Sequence, residues 1–359
     1  MSQASETELA SLSSLQELQL STRNHGTPLE ALRYDVTPVG LHYLLTHFDI
    51  PAVDPGSWRL CIGGSVRNEL ELSLGDIRAR PVVRRRVTME CAGNGRARLE
   101  PRPASMPWVL EAVGTGEWGG TPLRPLLEEA GPLDDAVEVL FAGLDRGVEG
   151  GVDQRFERSL SLPEAFRDEV MLVYELNGAP LPPQHGFPLR LVVPGWYGMT
   201  NVKWLESITL VNEPFAGYQQ RKSYRVRQEE DEEGEPLTRI APRALMVPPG
   251  IPEYLTRERI VEPGRCTIEG RAWSGWGAIA GVDVSDDGET WHAATLGAAE
   301  SQWSWTPWTF VWEPGASGRY ELLCRARDET GREQPVDPPW NLGGYANNAV
   351  QRVVVSVRG

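Results

Sequence analysis

The stretch "ELNGAPLPPQHGFPLRLVVPGWYGMTNVKWL", residues 175–205, decides the fold of the N-terminal half of the chain. Its short apolar runs are separated by Pro and Gly, a pattern that predicts short strands joined by turns. The overlapping runs "VMLVYELNG" and "VKWLESITLV" predict a strand at each end of it. Upstream, "PLRPLLEEAG" predicts a short helix, because Pro comes early and Gly follows the last apolar residue. Together these elements predict an α+β domain.

A second domain, made of strands, is predicted from Cys266 onward. Runs such as "CTIEGRAW" and "GRYELLCRARDETG" have strand composition, and turn residues recur between them at sandwich-like intervals. Asp-Asp-Gly at 286–288 is a hairpin turn signal. We therefore predict an Ig-like β-sandwich, in which Cys266 and Cys324 could face each other. A reduced pair is preferred, because nothing indicates an oxidising compartment.

The chain is thereby divided into four consecutive segments. An N-terminal arm covers residues 1–40, with a short helix around 6–20. The α+β domain covers 41–227, an acidic loop covers 228–240, and the sandwich covers 241–359. The loop contains "QEEDEEGEP", whose six acidic side chains are typical of a solvated surface segment.

Bulk composition excludes several classes of function. The 359 residues carry a formal net charge of −15 and a pI near 4.9, which argues against binding to nucleic acid or an anionic membrane. No run of 18 apolar residues and no secretory signal is recognisable, so we expect a cytoplasmic protein without a membrane span. The four cysteines form no C-x-x-C pair, which excludes zinc ribbons, thioredoxin-like sites and covalently attached haem.

The segment "ECAGNGR", residues 90–96, places a Cys after a strand and before a glycine-rich loop. A Cys at the end of a strand is most often a small buried hydrophobic residue. Here the glycines let a large group approach the backbone closely. Arg96 and Arg98, with the arginines at 84–86 upstream, would favour a thiolate at Cys91. A thiolate is a soft metal ligand, so the segment indicates a metal site.

This segment resembles the C-A-G-N-R-R loop of the sulfite oxidase family of molybdenum enzymes. Residues 175–205 are similar, nearly position for position, to that family's E-M-N-G-x-P-L-P-x-x-H-G-F-P-x-R…H-V-K-W-L segment. "TPVGLHYLLTHFDIP" (37–51), "QRKSY" (220–224) and "PPWNLGGYANNAVQRV" also resemble family segments. The resemblance implies a molybdopterin-binding domain followed by an Ig-like dimerisation domain, and hence a homodimer. It also implies a molybdenum–molybdopterin cofactor, and we expect no haem.

Several residues match cofactor-binding positions of that family. Cys91 matches the thiolate that binds molybdenum. The pterin carries a phosphate and many polar ring atoms, so it requires cations and hydrogen-bonding groups. Taken alone, most of the matching residues would be read as surface or turn residues. Asn201 stands where the family usually has His or Ser, so its contact is expected through the backbone. The matching pterin residues are His47, Asp145, His185, Arg190, Asn201 and Lys203.

Three further residues match positions around the metal. Tyr224 matches the family's active-site Tyr, and Arg96 matches an Arg that draws anions toward the metal. Trp108 matches a Trp that walls the substrate pocket. A half-exposed Tyr and a buried structural Trp remain open as alternatives for the two aromatic residues.

The substrate pocket departs from the family pattern at two positions. Sulfite-oxidising members carry three pocket arginines, but Leu45 and Gly343 replace two of them here. Each charged hydrogen bond contributes about 1.5–3 kcal/mol, so sulfite affinity should fall by roughly two to four orders of magnitude. Whether Lys222 or Arg225, beside Tyr224, compensates is left open by the sequence.

The leading hypothesis is therefore a molybdenum oxidoreductase that transfers an oxygen atom, most simply oxidising sulfite to sulfate. Its electrons would pass to a separate electron-transfer protein. Two alternatives remain, namely a reductase of S- or N-oxides with the same cofactor and a non-enzymatic Ig-like binding protein. The sequence leaves open the physiological substrate, the direction of turnover, the electron partner and the role of the arm.

Overall fold

In a computed structural model of the chain, residues 14–359 are described. The predicted arm helix begins at Leu15, and the part of that prediction before residue 14 lies outside the described residues. Ser14 and Glu17 form a reciprocal capping box at its start, which satisfies two backbone N–H groups. The helices are α1 Leu15–Arg23, α2 Leu74–Arg78, α3 Arg124–Ala130, α4 Leu162–Ala165 and α5 Tyr218–Arg221.

Twelve strands precede the sandwich-like region. They are β1 Arg59–Gly64, β2 Leu70–Ser73, β3 Val83–Glu90, β4 Val113–Pro122, β5 Glu138–Glu149, β6 Val152–Ser161, β7 Met171–Leu176, β8 Ala179–Pro180, β9 Arg190–Val192, β10 Leu205–Val211, β11 Arg225–Val226 and β12 Glu235–Pro236. One sheet has the order β2-β1-β10-β5-β6, with β1 and β10 parallel. A second has the order β3-β4-β7-β8, and β9 pairs with β7. The strands predicted at both ends of 175–205 are therefore present as β7 and β10, and the helix predicted in "PLRPLLEEAG" is present as α3.

Ten strands follow. They are β13 Arg243–Met246, β14 Ile251–Pro252, β15 Arg259–Val261, β16 Cys266–Trp273, β17 Ile279–Ser285, β18 His292–Ala293, β19 Thr295–Leu296, β20 Thr306–Trp312, β21 Gly318–Asp328 and β22 Gln351–Val357. They form two sheets, β13-β16-β20-β19 and β14-β15-β22-β21-β17-β18. The hairpin predicted at Asp286-Asp287-Gly288 joins β17 to β18, and the Ser285 hydroxyl accepts the Gly288 N–H at 2.9 Å.

The core of these ten strands draws side chains from both of their sheets. Ile268 and Trp308 from one sheet and Val284 and Val355 from the other belong to a single buried cluster. Cys324 is fully buried in this cluster and Cys266 packs against it, and both remain free thiols. Burial of apolar area on this scale is the main source of stability for such a layered domain.

Contacts group the described residues into two units that interleave along the chain. One contains the residues up to Tyr43, Gly93–Thr115 and Arg239–Gly359, and the other contains Leu44–Ala92 and Gly116–Thr238. We refer to them as the sandwich unit and the sheet unit. Among residues 14–359, no helix has the length and apolar character needed to cross a membrane.

The acidic run, residues 228–236, lies largely on the surface, as the sequence predicts. It forms the turn of the β11–β12 hairpin, and Glu233 pairs with Arg221 and Arg225. The Arg225 guanidinium also donates to the carbonyl oxygens of Glu233 and Gly234. Arg225 is therefore bound by this hairpin.

Candidate functional site

Cys91 directly follows β3 in the sheet unit, and only 8% of it is exposed. The last four residues of β3 are buried, so the strand delivers the thiol into the interior. The arginines upstream do not supply it with unmatched charge. Arg84 pairs with Glu175 at 2.9 Å, and Arg86 lies 3.9 Å from Glu117. The positive charge expected from these two residues is matched by carboxylates.

One buried and one half-buried cation lie in the same unit. Arg190, at the start of β9, is 6% exposed and donates to the carbonyl oxygens of His185 and Asn201 at 3.0 and 3.1 Å. Lys203 Nζ donates to the carbonyl oxygens of Leu45 and Gln184 at 2.9 and 3.1 Å. These bonds to backbone carbonyl oxygens hold the two cations in place.

The Arg190 guanidinium connects this cation pair to the strand that leads to Cys91. Its Nη2 lies 3.7 Å from the sulfur of Met89, two residues before Cys91. Its face lies over the ring of Trp118, 4.8 Å from the centroid, and the Trp118 indole donates to the Val87 carbonyl oxygen. Arg190 therefore packs against the end of the strand that leads to Cys91.

Two groups of this cluster, Lys203 and Asp145, have pKa values far from their ordinary ones. Burial and the neighbouring Arg190 charge lower the pKa of Lys203 to about 7, although Asp145 opposes the shift. Burial raises the pKa of Asp145 to about 6, although Lys203 and His47 oppose it. Burial and the Arg190 charge therefore disfavour the protonated form of Lys203, and a bound anion would favour it.

Asp145 lies at a β-bulge between Ala142 and Arg146, where β5 and β6 lose register. Bulges of this kind often re-aim a side chain at a functional site. Asp145 is 4% exposed, and its Oδ1 has no hydrogen-bond partner among residues 14–359. The buried carboxylate is thus available to accept N–H groups of a bound molecule.

Two glycines allow the protein's own backbone to pack closely against these groups. A Cβ at Gly143 would lie 2.6 Å from Asp145 Oδ1 and 2.7 Å from the Lys203 carbonyl oxygen. Gly186 has φ +105°, and a Cβ there would press on Lys203 and Arg190 at 3.1 and 3.2 Å. The two cations and the unsatisfied carboxylate oxygen fit a polar, phosphate-bearing cofactor.

His185 and Asn201 both lie against Arg190 through their backbones. His185 ends a 3₁₀ turn, Pro183–His185, and is 3% exposed. The side chain of Asn201 is committed to the main chain, since Oδ1 accepts the Val193 N–H at 2.7 Å and Nδ2 donates to the Tyr197 carbonyl oxygen at 3.2 Å. Asn201 therefore presents its backbone rather than its amide to the Arg190 guanidinium.

His47 and Tyr224 each have a buried or half-buried partner that the sequence did not single out. His47 Nε2 lies 2.7 Å from Glu149 Oε2. Tyr224, 8% exposed, lies under the guanidinium of Arg158, 5.6 Å from its ring centroid. In the sequence Glu149 reads as a hairpin residue and Arg158 as a strand residue, so no local signal marks either one.

Arg96, Trp108 and Gly343 belong to the sandwich unit. Arg96 is 5% exposed, and its Nε donates to the Gly343 carbonyl oxygen at 2.9 Å. Its guanidinium carbon lies 5.1 Å from the ring centroid of Tyr345, a cation–π contact. Trp108 is 5% exposed, and its indole nitrogen has no hydrogen-bond partner among the described residues.

Tyr345 occupies the space that a side chain at position 343 would need. A Cβ at Gly343 would lie 2.3 Å from the Tyr345 ring. The glycine at position 343 therefore does not leave an empty space, because the Tyr345 ring fills the volume beside it and packs on Arg96.

Comparisons with known proteins agree with this chemistry. The model of the family described as "Oxidoreductase molybdopterin binding domain" matches residues 47–219, and that of "Mo-co oxidoreductase dimerisation domain" matches residues 244–358. Mitochondrial sulfite oxidase of Mus musculus is 35% identical over 342 residues, which are 90% of this chain and 62% of that protein. Sulfite oxidase of Gallus gallus is 35% identical over 337 residues, covering 88% of this chain and 72% of that protein.

More distant relatives are similar over nearly the whole chain. Nitrate reductase [NADH] 1 of Oryza sativa subsp. japonica is 30% identical over 90% of this chain and 38% of its own length. The crystal structure of the sulfane dehydrogenase SoxCD from Paracoccus pantotrophus has a TM-score of 0.80 at 24% identity, covering 100% of this chain and 96% of that one. The latter similarity concerns the fold. The chain spans just under two thirds of the mouse relative's length.

Proposed function

Because this chain belongs to the sulfite oxidase family of molybdopterin oxidoreductases, we propose that it transfers an oxygen atom to or from a small oxyanion or oxide at a molybdenum cofactor. One observation carries the proposal. The cations Arg190 and Lys203 lie near the unsatisfied Asp145, and Arg190 contacts Met89 on the strand that delivers Cys91. This arrangement fits a cofactor that needs a phosphate site and a thiolate at once.

Each cofactor-binding candidate in the sheet unit has a role in this proposal. Arg190 and Lys203 hold the pterin phosphate, with His185 beside them, and Asp145 accepts ring N–H groups. Asn201 contributes through its backbone and His47 lies over the pterin. Cys91 supplies the thiolate ligand. The bound cofactor supplies the two-electron redox chemistry. The protein's residues supply orientation, charge and exclusion of water.

Substrate recognition falls to three residues in the same proposal. Tyr224 hydrogen-bonds the substrate oxygen, Arg96 attracts the anion, and Trp108 forms a wall. The electrons leave to, or arrive from, a separate protein. Oxidation of sulfite to sulfate is the leading reaction, supported by the names of the relatives. Reduction of a neutral S- or N-oxide is the second candidate, favoured by the loss of arginine at positions 45 and 343.

We expect the wild-type protein to bind sulfite weakly, with a high KM and a less affected kcat. Leu45 contributes no charge where the family resemblance implies an arginine. Losing an interaction that binds substrate and transition state equally raises KM and leaves kcat unchanged. Leu45→Arg should lower the sulfite KM by roughly 10- to 100-fold, which corresponds to one charged hydrogen bond. Steady-state kinetics with an artificial electron acceptor would measure both constants.

Leu45→Gln is the matched control, because it adds polarity without charge. Position 45 is the one to restore, since an arginine at position 343 would collide with Tyr345. Thermal unfolding should be followed in parallel, because a buried guanidinium without a partner destabilises a loop. A micromolar sulfite KM for the wild type would contradict the depleted pocket and favour an ordinary sulfite-oxidising site.

We also expect a homodimer, formed through the sandwich unit. The Trp-rich run "WSWTPWTFVW" contributes little to such a surface, because three of its four tryptophans, Trp305, Trp308 and Trp312, are at most 3% exposed. Tyr254 and Leu255, each 82% exposed, lie between β14 and β15 and are the candidates for burial against a second copy. Light scattering at micromolar concentration should give twice the mass of 39.8 kDa.

Leu255→Glu should shift this protein toward the monomer, because it places a charge in an apolar contact. Val311→Glu, on an exposed position of β20, is the control and should remain dimeric. A monomeric wild type would disprove the dimer, and a dimeric Leu255→Glu would exclude this loop from the interface.

A further inference from the structure

Glu149, the last residue of β5, is the meeting point of two segments that carry proposed site residues. Its Oε2 lies 2.7 Å from His47 Nε2 and accepts Gln219 Nε2, also at 2.7 Å. Its Oε1 accepts the Ser223 hydroxyl at 3.3 Å. One carboxylate therefore binds the 37–51 segment through His47 and the 218–224 turn through two residues.

The contact defines which nitrogen of His47 carries a proton. Burial alone would raise the pKa of Glu149, but hydrogen bonds from His47, Gln219 and Ser223 and the charge of His47 lower it below its usual value. The carboxylate is therefore ionised near neutral pH and can only accept. Consequently Nε2 of His47 must donate, as happens when a carboxylate orients a functional histidine.

Two aromatic side chains also contact the His47 ring. Phe48 meets it edge-on with centroids 4.6 Å apart, and Phe156 lies 5.3 Å away. These contacts restrain the plane of the ring but do not choose between its two tautomers. Only a polar partner does so, and Glu149 is that partner.

The 218–224 turn is fastened on its other side by a buried arginine. Arg158, 2% exposed, donates to the Gln219 carbonyl oxygen, and its guanidinium lies over the Tyr224 ring. Tyr224 has φ +54°, a left-handed conformation that is costly for a bulky residue and persists only where neighbours enforce it. The bonds from Gln219 and Ser223 to Glu149 are among those restraints.

We propose that Glu149 is a positioning residue that holds His47 with a proton on Nε2 and, through Gln219 and Ser223, holds the turn that presents Tyr224. Its relevance to turnover rests on the proposed function. An ordinary surface ion pair contributes little to stability, because it joins two mobile side chains that water and salt screen. Glu149 differs in accepting three side-chain bonds from two separate segments while it is only one-third exposed.

The test compares Glu149→Gln with Asp153→Asn. Asp153 pairs with Arg146 on the same β5–β6 hairpin, but both of those side chains are more than half exposed. Histidine ¹⁵N NMR is practical because the chain has five His, and His47→Gln assigns the relevant signal. Side-chain ¹³C-labelled tyrosine reports on Tyr224 among nine Tyr, with Tyr224→Phe for assignment.

We expect Glu149→Gln to shift both the His47 Nε2 and the Tyr224 signals, and Asp153→Asn to shift neither. In active enzyme, kcat should fall by roughly 10- to 100-fold in Glu149→Gln, the usual effect of losing a partner that orients a functional side chain, with a smaller change in KM. Glu149→Ala should lose more, since it also removes the hydrogen-bond acceptor. Thermal midpoints close to that of Asp153→Asn would exclude general unfolding as the cause.

An unmoved His47 or Tyr224 signal in Glu149→Gln would overturn the positioning role, whatever the enzyme's activity. Unchanged kcat in both Glu149 variants would overturn its relevance to turnover. Failure of the proposed function is a separate result, because it would appear as wild-type protein without turnover on sulfite, sulfoxides and N-oxides, while the two NMR signals would still test the contacts of Glu149.

Discussion

Cys91→Ser should yield a folded protein that retains most of its pterin but has lost turnover. Serine is close in size to cysteine, so the buried position after β3 should tolerate it. Its hydroxyl is a harder ligand that remains protonated where a thiol does not. Loss of a residue that hydrogen-bonds to a metal ligand typically lowers activity about 10- to 100-fold. Loss of the ligand itself should lower activity further.

The measurement combines turnover with metal and pterin content, using sulfite and sulfoxides with artificial electron carriers. Cys61→Ser is the matched control, because Cys61 is an exposed free thiol on β1 and should be replaceable without loss. Turnover of Cys91→Ser equal to that of the wild type would show that the thiolate is not the metal ligand.

Arg190→Ala should purify with far less pterin than the wild type. Removing one partner of a buried charge pair costs about 3–5 kcal/mol, which weakens affinity by roughly a hundredfold to several thousandfold. Arg190 is buried and donates to two backbone carbonyl oxygens, so water cannot easily take over its charge or its hydrogen bonds. Pterin fluorescence after release from the purified protein gives the occupancy directly.

Arg259→Ala is the control for loss of a buried arginine. Arg259 is 5% exposed and donates to backbone carbonyl oxygens of Pro248, Pro249 and Gly250 in the sandwich unit. It should lower stability without lowering pterin content. If Arg190→Ala does not fold, Lys203→Met tests the same phosphate site. Full pterin occupancy in a folded Arg190→Ala or Lys203→Met would remove the phosphate role.

Much of the fold could be predicted from the sequence because its signals are local. Alternating apolar residues and Gly or Pro between them define the strands around 175–205, and Asp-Asp-Gly marks the β17–β18 turn. The segment Gly93–Thr115 is different. It lies in the middle of the chain but belongs to the sandwich unit, and no local pattern indicates this.

The candidate site was predictable to the extent that family-like motifs mark it. The segments around Cys91, His185 and Lys203 carry a resemblance in the order and type of their residues. The partner of His47 lies 102 residues away along the chain, and Arg158 and Gln219 are separated by 61. Such contacts depend on how distant segments pack, so neither composition nor periodicity contains them.

The sequence by itself determined the two-part architecture, the family resemblance and the loss of two pocket arginines. Only the tertiary structure decided that Tyr345 fills the space at Gly343, that Arg225 is bound by the acidic hairpin, and that three of the four tryptophans of the Trp-rich run are buried. The physical reason is that strand periodicity and turn chemistry act over a few neighbouring residues. The volume, charge and hydrogen-bond partners at a side chain are set by segments brought together when the chain folds.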